Sequence, residues 1–278
     1  MTLAVFGVVL FAALLHASWN AIVKGARDKL LTTILVTTSA ALLAAISLPA
    51  LPAPNAASWP FIVASSLFQV TYFALLARTY HLADMSQTYP VMRGTAPLLV
   101  GIVSVLALGA HLSVTMWLGV GMICLGILGM AAGDRRTNRR GISLALLNAV
   151  VIAGYTIIDG IGVRRSGAPA AYTLWIFLVS GIPLAAWAIR TRGRAALSEY
   201  ARRNWYFGLI GGVGTVASYG LALWAMTIAP IAVVAALRET SILFGAVISG
   251  LLLKEHIGFA RFAAACTIAI GAAVLRLA

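Results

Sequence analysis

The most constraining feature of this sequence is a series of about ten apolar runs, each about twenty residues long. A helix of about 20 apolar residues has the length needed to cross the hydrocarbon core of a bilayer. A transmembrane barrel would instead show alternating apolar and polar residues in segments of about ten. We therefore predict an all-α membrane protein with about ten transmembrane helices.

Composition supports a membrane protein and argues against other classes. Of the 278 residues, 62% are hydrophobic and 10% are charged, whereas a soluble domain is about 25% charged. The net charge of +13 lies almost entirely in loops between apolar runs, so we predict membrane lipids and a small-molecule substrate as partners and no nucleic acid. Cys124 and Cys266 both fall inside apolar helices, which favours a packing role. The sequence predicts no disulfide, metal site or cofactor.

Turn residues divide the apolar runs into ten predicted helices and two halves. An arginine-rich segment separates an N-terminal repeat, residues 1–133, from a C-terminal repeat, residues 141–278. One long polar loop is predicted at 190–204. The predicted helices are 2–23, 30–50, 59–79, 84–108, 114–132, 141–163, 170–189, 204–226, 230–253 and 258–276.

The two halves carry related sequences. Arg93 and the Gly-Thr pair after it align with Arg238 and the Glu-Thr pair after it, and the same offset of 145 positions relates His111 to His256. Each half has five helices, an odd number, so two copies must cross the membrane in opposite orientations. The sequence therefore predicts two inverted five-helix repeats, an architecture typical of secondary transporters.

Loop charges predict the orientation in the membrane. Fifteen of the 20 basic residues lie in loops that follow odd-numbered helices, and three lie on the opposite face. Because cytoplasmic loops carry an excess of Lys and Arg, we expect the odd-numbered loops in the cytoplasm and both termini outside.

Several short motifs resemble a known family. The chain resembles the drug/metabolite transporter superfamily, in particular members with two tandem EamA-type domains, and the resemblance covers essentially its whole length. The motifs that carry it are Trp19-Asn20 followed by Lys24, Tyr72-x-Ala74-Leu75, the prolines of predicted helix 4, and Leu253-Lys254-Glu255 followed by Arg261.

The resemblance implies export or exchange of small metabolites through a central cavity lined by helices 1, 3, 4, 6, 8 and 9. This sequence departs from the family in two respects. The family places both termini in the cytoplasm, contrary to the loop charges. The acidic residue expected between helices 4 and 5 is also missing, because Ala110 stands opposite Glu255.

Two arginines lie inside apolar runs. Arg93 and Arg238 are each several residues from the nearest run end. A charge at that depth costs a few kcal/mol or more and usually marks a substrate or ion pathway. The guanidinium fork suits a carboxylate or phosphate, so we predict that both arginines bind an anionic or zwitterionic substrate. The structural alternative is a buried salt bridge to Glu239, Asp159 or Asp84.

Predicted helix 4 also contains two prolines. Pro90 and Pro97 share one face with Arg93, and each proline removes a backbone hydrogen bond. An interrupted helix at this depth is tolerated only against protein or a water-filled cavity. We predict a gating hinge at these prolines, with a merely kinked packing helix as the alternative.

Polar residues on four other helices complete the predicted site. The predicted cavity residues are His16, Trp19 and Asn20 of helix 1, Tyr72 of helix 3, Tyr155 of helix 6 and Tyr219 of helix 8. Asp159 or Glu239 could carry a coupled ion or proton. For each of these polar residues, a contact that merely joins neighbouring helices is the alternative.

These features predict a secondary transporter that moves a small polar metabolite, such as an amino acid or organic acid, by alternating access. We expect a monomer or homodimer in a bacterial cytoplasmic membrane. A non-transporting sensor or assembly subunit is the alternative. An intramembrane enzyme acting on lipid-linked substrates is disfavoured, because the seven acidic residues are scattered and no catalytic motif is present.

Overall fold

The computed structural model of this protein describes residues 1–131, 138–252 and 258–278. Those residues form α-helices and two short 3₁₀ turns, with no strand among them. Predicted helix 9 corresponds to two successive helices of the structure, and predicted helix 10 corresponds to its last helix. The helices are α1 (Leu3–Gly25), α2 (Lys29–Ser47), α3 (Trp59–Leu82), α4 (Met85–Leu108), α5 (Val114–Ala131), α6 (Arg139–Ser166), α7 (Pro169–Arg192), α8 (Arg194–Ile228), α9 (Ile231–Arg238), α10 (Ser241–Leu252) and α11 (Phe259–Leu277).

The helices have the length and composition of membrane spans. Within the described ranges, nine stretches are long and apolar enough to cross a bilayer, and α9 continues into α10 as one of them, Ile231–Ile248. A tenth apolar helix, Val114–Met130, is somewhat shorter. The prediction of an all-α, multi-pass membrane protein with about ten helices is confirmed.

Local sequence signals fix several helix ends. The side chains of Thr2 and Asp28 accept hydrogen bonds from the first turns of α1 and α2, and Asn138 does the same for α6. These contacts satisfy backbone N–H groups that have no partner within the helix. At the other end, Gly109 and Gly167 close α4 and α6 with φ of 64°, a left-handed conformation that suits glycine.

Helix packing largely follows an exchange between the two halves. Here α1 corresponds to α6, α3 to α8, and α4 to α9 and α10. The contact of α1 with α8 is matched by that of α6 with α3, and the contact of α4 with α6 is matched by that of α1 with α9 and α10. Three pairs map onto themselves in this exchange: α2 with α7, α4 with α9, and α5 with α11. This pattern supports the inverted repeat, which stays a prediction together with its boundaries at 1–133 and 141–278. It brings α4 against α9, the two helices that carry the arginines.

The predicted polar loop at 190–204 is wrong. Helix α8 begins at Arg194 and bends at Asn204, where φ is −125° and ψ is 19°. Its first three turns contain good helix formers, and Glu199 pairs with Arg203 one turn later at 2.7 Å. Such pairs stabilise an exposed helix, so the polar composition marks a surface helix rather than a loop.

The predicted helix over 230–253 is interrupted within its described part. Helix α9 ends at Arg238 and α10 begins at Ser241. Between them the backbone N–H groups of Glu239 and Thr240 bond to carbonyls three residues back, at 3.0 and 3.1 Å. The Thr240 hydroxyl donates to the same Leu237 carbonyl at 2.6 Å. This tightened turn interrupts the second arginine helix, whereas α4 runs unbroken through both of its prolines.

Helix α9 is the most enclosed element of the bundle. Every residue from Ile231 to Leu237 is buried, and the half-buried exception is Arg238. Neighbouring helices surround α9 on several sides, since α1, α4, α5, α6 and α8 all contact it. The charged residue at the C-terminal end of this helix, Arg238, therefore lies among protein side chains.

Candidate functional site

The two membrane arginines border one cavity inside the helix bundle. Helix α4 contributes Arg93, and the end of α9 contributes Arg238 and Glu239. The cavity has a volume of about 10 Å³, which holds about one water molecule. The remaining wall consists of Ala96, Pro97, Val100, Ile152, Tyr155, Thr156 and Ala235.

Arg93 is held by an ion pair. Its Nε donates to Oε2 of Glu239 at 2.8 Å, and the two residues are 6% and 4% exposed. The salt-bridge alternative is therefore realised for Arg93. Its Nη2 is buried without a hydrogen-bond partner among the described residues. A buried donor in that state costs free energy, and an anionic group or a water in the cavity would satisfy it.

Arg238 is placed differently. Its guanidinium carbon lies 4.9 Å from the centre of the Tyr219 ring, within the range of a cation–π contact. It forms no salt bridge with any carboxylate that the structure describes. Arg238 therefore lies at the cavity wall without an ion-pair partner among the described residues.

Asp159 lies on the far side of Tyr219. Tyr172 donates a hydrogen bond to its Oδ1 at 3.1 Å, and Tyr219 donates to its Oδ2. The Asp159 side chain is completely buried and has no cation in direct contact within the described ranges. Both oxygens of the carboxyl group therefore accept from a phenol hydroxyl, an arrangement that suits the ionised form, which can only accept. Tyr219 thus connects Asp159 to Arg238 through one phenol ring.

Aromatic rings surround the first arginine. Tyr72 and Tyr155 meet edge to face with ring centres 6.2 Å apart, and Tyr155 also forms part of the cavity wall. Beside them, the Asn148 amide donates to the Met92 sulfur at 3.2 Å, while its Oδ1 has no partner among the described residues. The interface of α3, α4 and α6 therefore contains tyrosine hydroxyls and one acceptor, Oδ1 of Asn148, that has no partner among the described residues.

The polar residues of α1 form a local group. The ring of His16 meets Trp19 edge to face at 5.3 Å, and the Asn20 amide donates to the His16 carbonyl at 2.8 Å. His16 lies close enough to both arginines for their charges to act on it. The Trp19 indole N–H is buried without a partner in the described part of the chain.

The structure brings only part of the predicted site to the cavity itself. Arg93, Arg238, Glu239, Tyr155 and Pro97 line it. Seven other predicted residues are not among those that line it: His16, Trp19, Asn20, Tyr72, Pro90, Asp159 and Tyr219.

Sequence reasoning missed Tyr172 and the small wall residues. Tyr172 lies 13 positions after Asp159, on the helix that follows a two-residue turn, and such a helix returns antiparallel beside its predecessor. That geometry is the signal that could have found it. Nothing in the sequence distinguishes wall residues such as Ala96 and Thr156 from ordinary packing residues.

A second cavity opens where α3 meets α4 near the start of α6. Its volume is about 340 Å³, and it lies on the face of the odd-numbered loops. Gln87, a buried residue, lines it one turn after Asp84 at the start of α4. The other residues that line it are Tyr80, His81, Leu82, Ala83 and Asn138.

The described residues contain no group of three or more His, Cys, Asp or Glu side chains that could hold a metal ion. Cys124 is buried and Cys266 is exposed, and both are free thiols. The chemistry of the central cluster therefore lies in its guanidinium, carboxylate and phenol groups.

Comparison with known proteins places this arrangement in context. The EamA-like transporter family matches residues 139–277, which is half of the chain. A crystal structure of another protein aligns over 99% of this chain and 96% of its own, with a TM-score of 0.76 and 19% sequence identity. At that identity the likeness shows a common fold alone. No curated protein matches this sequence.

Proposed function

This chain belongs to the EamA-like transporter family, and we propose that it moves a small anionic or zwitterionic metabolite across a bacterial cytoplasmic membrane by alternating access. The family is one of membrane transporters of the drug/metabolite type, which fixes the general function. We further propose a substrate such as an amino acid or organic acid, a monomer or homodimer, and odd-numbered loops that face the cytoplasm.

One observation carries this proposal. Two arginines from the two halves of the chain border a single cavity among buried helices, and one of them has no described carboxylate partner. Burying a cation in a membrane protein costs several kcal/mol unless it is compensated. A ligand anion would compensate Arg238 in the way that Glu239 compensates Arg93.

The chemistry of the cavity wall supports an anionic or zwitterionic ligand. Arg238 offers a charged planar donor set suited to a carboxylate. The unpartnered Nη2 of Arg93 offers a second donor on the same cavity. Glu239, at the same wall, could accept from an ammonium group once a ligand competes for its partner. An amino acid carries both of the complementary groups.

The cavity size supports a cycle with moving halves. A volume of about 10 Å³ is far below the ~300 Å³ at which small-molecule pockets begin, so a metabolite enters only if helices separate. The two halves also meet on the face that carries the loops after even-numbered helices. There the Asn55 N–H donates to the Ser166 carbonyl at 2.8 Å, and the rings of Trp59 and Trp175 have centres 4.8 Å apart. In the proposed cycle these contacts open when the substrate passes to that side.

The test is uptake into liposomes that contain the purified protein. A panel of labelled amino acids and organic acids identifies the transported compound. Arg238→Gln removes the charge but keeps a polar side chain, and we expect uptake of that compound to fall about 30-fold or more, because loss of one partner of a buried charge pair costs about 2–5 kcal/mol.

Arg203→Gln is the matched control, since Arg203 is an exposed arginine with only a surface partner. Its uptake should equal that of the unmodified protein. Arg238→Lys keeps the charge and should retain part of the activity. Uptake that is unchanged in Arg238→Gln, or absent for the whole panel with the unmodified protein, would refute the proposal.

A further inference from the structure

Of the two buried carboxyl groups, Asp159 and Glu239, Asp159 is the one that lacks an ion-pair partner among the described residues. It is fully buried in α6, and its hydrogen bonds come from phenol hydroxyls rather than from a cation. Glu239, in contrast, is tied to Arg93 at 2.8 Å. The two intramembrane carboxylates are therefore not equivalent, and the one without a cation partner is the better proton acceptor.

The groups that face Asp159 come from every side. Tyr172 approaches from α7 and Tyr219 from α8. The Arg238 guanidinium of α9 lies on the other side of the Tyr219 ring, and Ser65 of α3 is also near Asp159. On α6 itself, Tyr155 lies one turn before Asp159, and it also interacts electrostatically with Arg93 of α4. Arg238 is thus the nearest cation to Asp159 that the described contacts provide.

We propose that Asp159 is the proton site of the transport cycle, and that it binds one proton from water when an anionic group of the substrate neutralises Arg238. This inference rests on the proposed transport function. The proton and the substrate would then cross together. The proton is released again to water when the substrate leaves Arg238 on the other side.

Charge balance gives the physical reason. The ligand-free cluster contains two arginines and two carboxylates, so its formal charge is zero. A bound ligand with one net negative charge would leave the cluster with that charge in a medium of low dielectric constant, where uncompensated charge is costly. One proton on Asp159 restores neutrality. Because linkage is reciprocal, a protonated Asp159 strengthens substrate binding to the same extent.

The hydrogen bonds around Asp159 permit this change without a rearrangement of the backbone. A protonated carboxyl has one O–H donor, and a neighbouring phenol that changes from donating to accepting would give that donor a partner. A tyrosine hydroxyl can do either. Tyr219 is suited to this switch, because its hydroxyl contacts Asp159 and its ring contacts Arg238.

The first experiment needs no ligand. Infrared difference spectra of the purified protein in lipid, taken across the pH range in which it stays folded, follow the C=O stretch of protonated carboxyls. We expect a titrating band that Asp159→Asn removes and Glu239→Gln leaves. Arg238→Gln imitates the neutralised arginine, so its band should persist to higher pH by about one to two units, since coupling between sites is typically 5–150-fold.

Arg238→Lys keeps the positive charge and should titrate close to the unmodified protein. This variant controls for misfolding, because both replacements remove the same guanidinium. A band that survives Asp159→Asn, a midpoint that is unchanged in Arg238→Gln, or the absence of any titrating band would overturn the proposal.

The second experiment separates this proposal from the transport function on which it rests. In liposomes, a pH gradient that is acidic outside should drive accumulation of the transported compound by the unmodified protein. Asp159→Asn should still exchange labelled for unlabelled compound but should not accumulate it. If the unmodified protein accumulates the compound equally with and without the pH gradient, proton coupling is refuted and the transport function stands. If no compound is transported at all, the proposed function is refuted.

Discussion

The two arginine helices have matching sequences but different structures. Helix α4 is continuous, and its arginine is neutralised by Glu239 from the opposite half. The corresponding span in the second half is interrupted at Glu239 and Thr240, and Arg238 at this break contacts an aromatic ring instead of a carboxylate. One arginine is therefore held in an ion pair, whereas the other has no carboxylate partner in the part of the chain that the structure describes.

The difference begins with one residue after each arginine. Gly94 follows Arg93, whereas Glu239 follows Arg238. A β-carbon at Gly94 would lie 2.8 Å from a Leu128 side-chain carbon, so this position is closely packed against α5. The carboxylate of the second half instead extends to the arginine of the first. The two aligned positions thus hold one arginine in an ion pair and one arginine without a carboxylate partner among the described residues.

Removal of the Arg93 charge should have the largest effect on stability. Arg93→Gln leaves Glu239 as an unpaired buried anion, and breaking such a pair costs about 3–5 kcal/mol. Thermal unfolding of the detergent-solubilised protein, followed by intrinsic fluorescence, measures the loss. The double variant with Glu239→Gln removes both charges and should recover most of it. An Arg93→Gln protein that unfolds at the unmodified temperature would contradict the internal role of this pair.

Tyr219→Phe should have the next largest effect. It leaves the ring beneath Arg238 but removes a hydrogen bond to the buried Asp159 carboxylate, a loss of about 1–3 kcal/mol. Tyr172→Phe is the matched variant, because it removes the hydrogen bond to the other oxygen and lies away from Arg238. Both should lower the unfolding temperature by similar amounts, and only Tyr219→Phe should also weaken substrate binding. Equal binding in the two variants would show that Tyr219 does not connect the two charges.

Arg238→Gln should be the milder arginine variant in the absence of ligand. It removes a cation–π contact worth about 0.5–2 kcal/mol and leaves no described carboxylate without its partner. Its unfolding temperature should therefore stay well above that of Arg93→Gln in the same assay. A larger loss for Arg238→Gln than for Arg93→Gln would reverse the assignment of the two arginines.

The smallest effect on stability is expected for Pro97→Ala. Helix α4 already continues through this residue, and alanine would restore a backbone donor at a position that lines the cavity. We expect stability within about 1 kcal/mol of the unmodified protein and slower uptake if Pro97 acts as a hinge. Initial uptake rates and unfolding temperatures measured on the same preparation test this, and an unchanged rate would remove Pro97 from the gating machinery.

The sequence predicted the helices well because their length is set by the bilayer. Apolar runs identify spans regardless of which neighbours they pack against. The same principle explains the error at 190–204, where polar composition suggested a loop and Glu199 with Arg203 instead supports a surface helix. The break after Arg238 was missed because no proline or glycine marks it. Backbone bonds at Glu239 and Thr240 create it.

The candidate site was only partly predictable. Depth in an apolar run identifies Arg93 and Arg238, and the salt-bridge alternative named Glu239 among three carboxylates. The choice among those carboxylates depends on how α4 and α9 cross, which no periodicity in either helix determines. Two residues that complete the cluster, Tyr172 beside Asp159 and the Tyr219 ring beneath Arg238, depend on the same tertiary packing.

The most direct test of this account is ligand-induced thermal stabilisation, screened across amino acids, organic acids, phosphonates and nucleosides. We expect that at least one anionic or zwitterionic compound stabilises the unmodified protein, that Arg238→Gln loses the effect, and that Arg93→Gln combined with Glu239→Gln retains part of it. Stabilisation of Arg238→Gln equal to that of the unmodified protein would contradict it, as would a panel in which no compound has any effect.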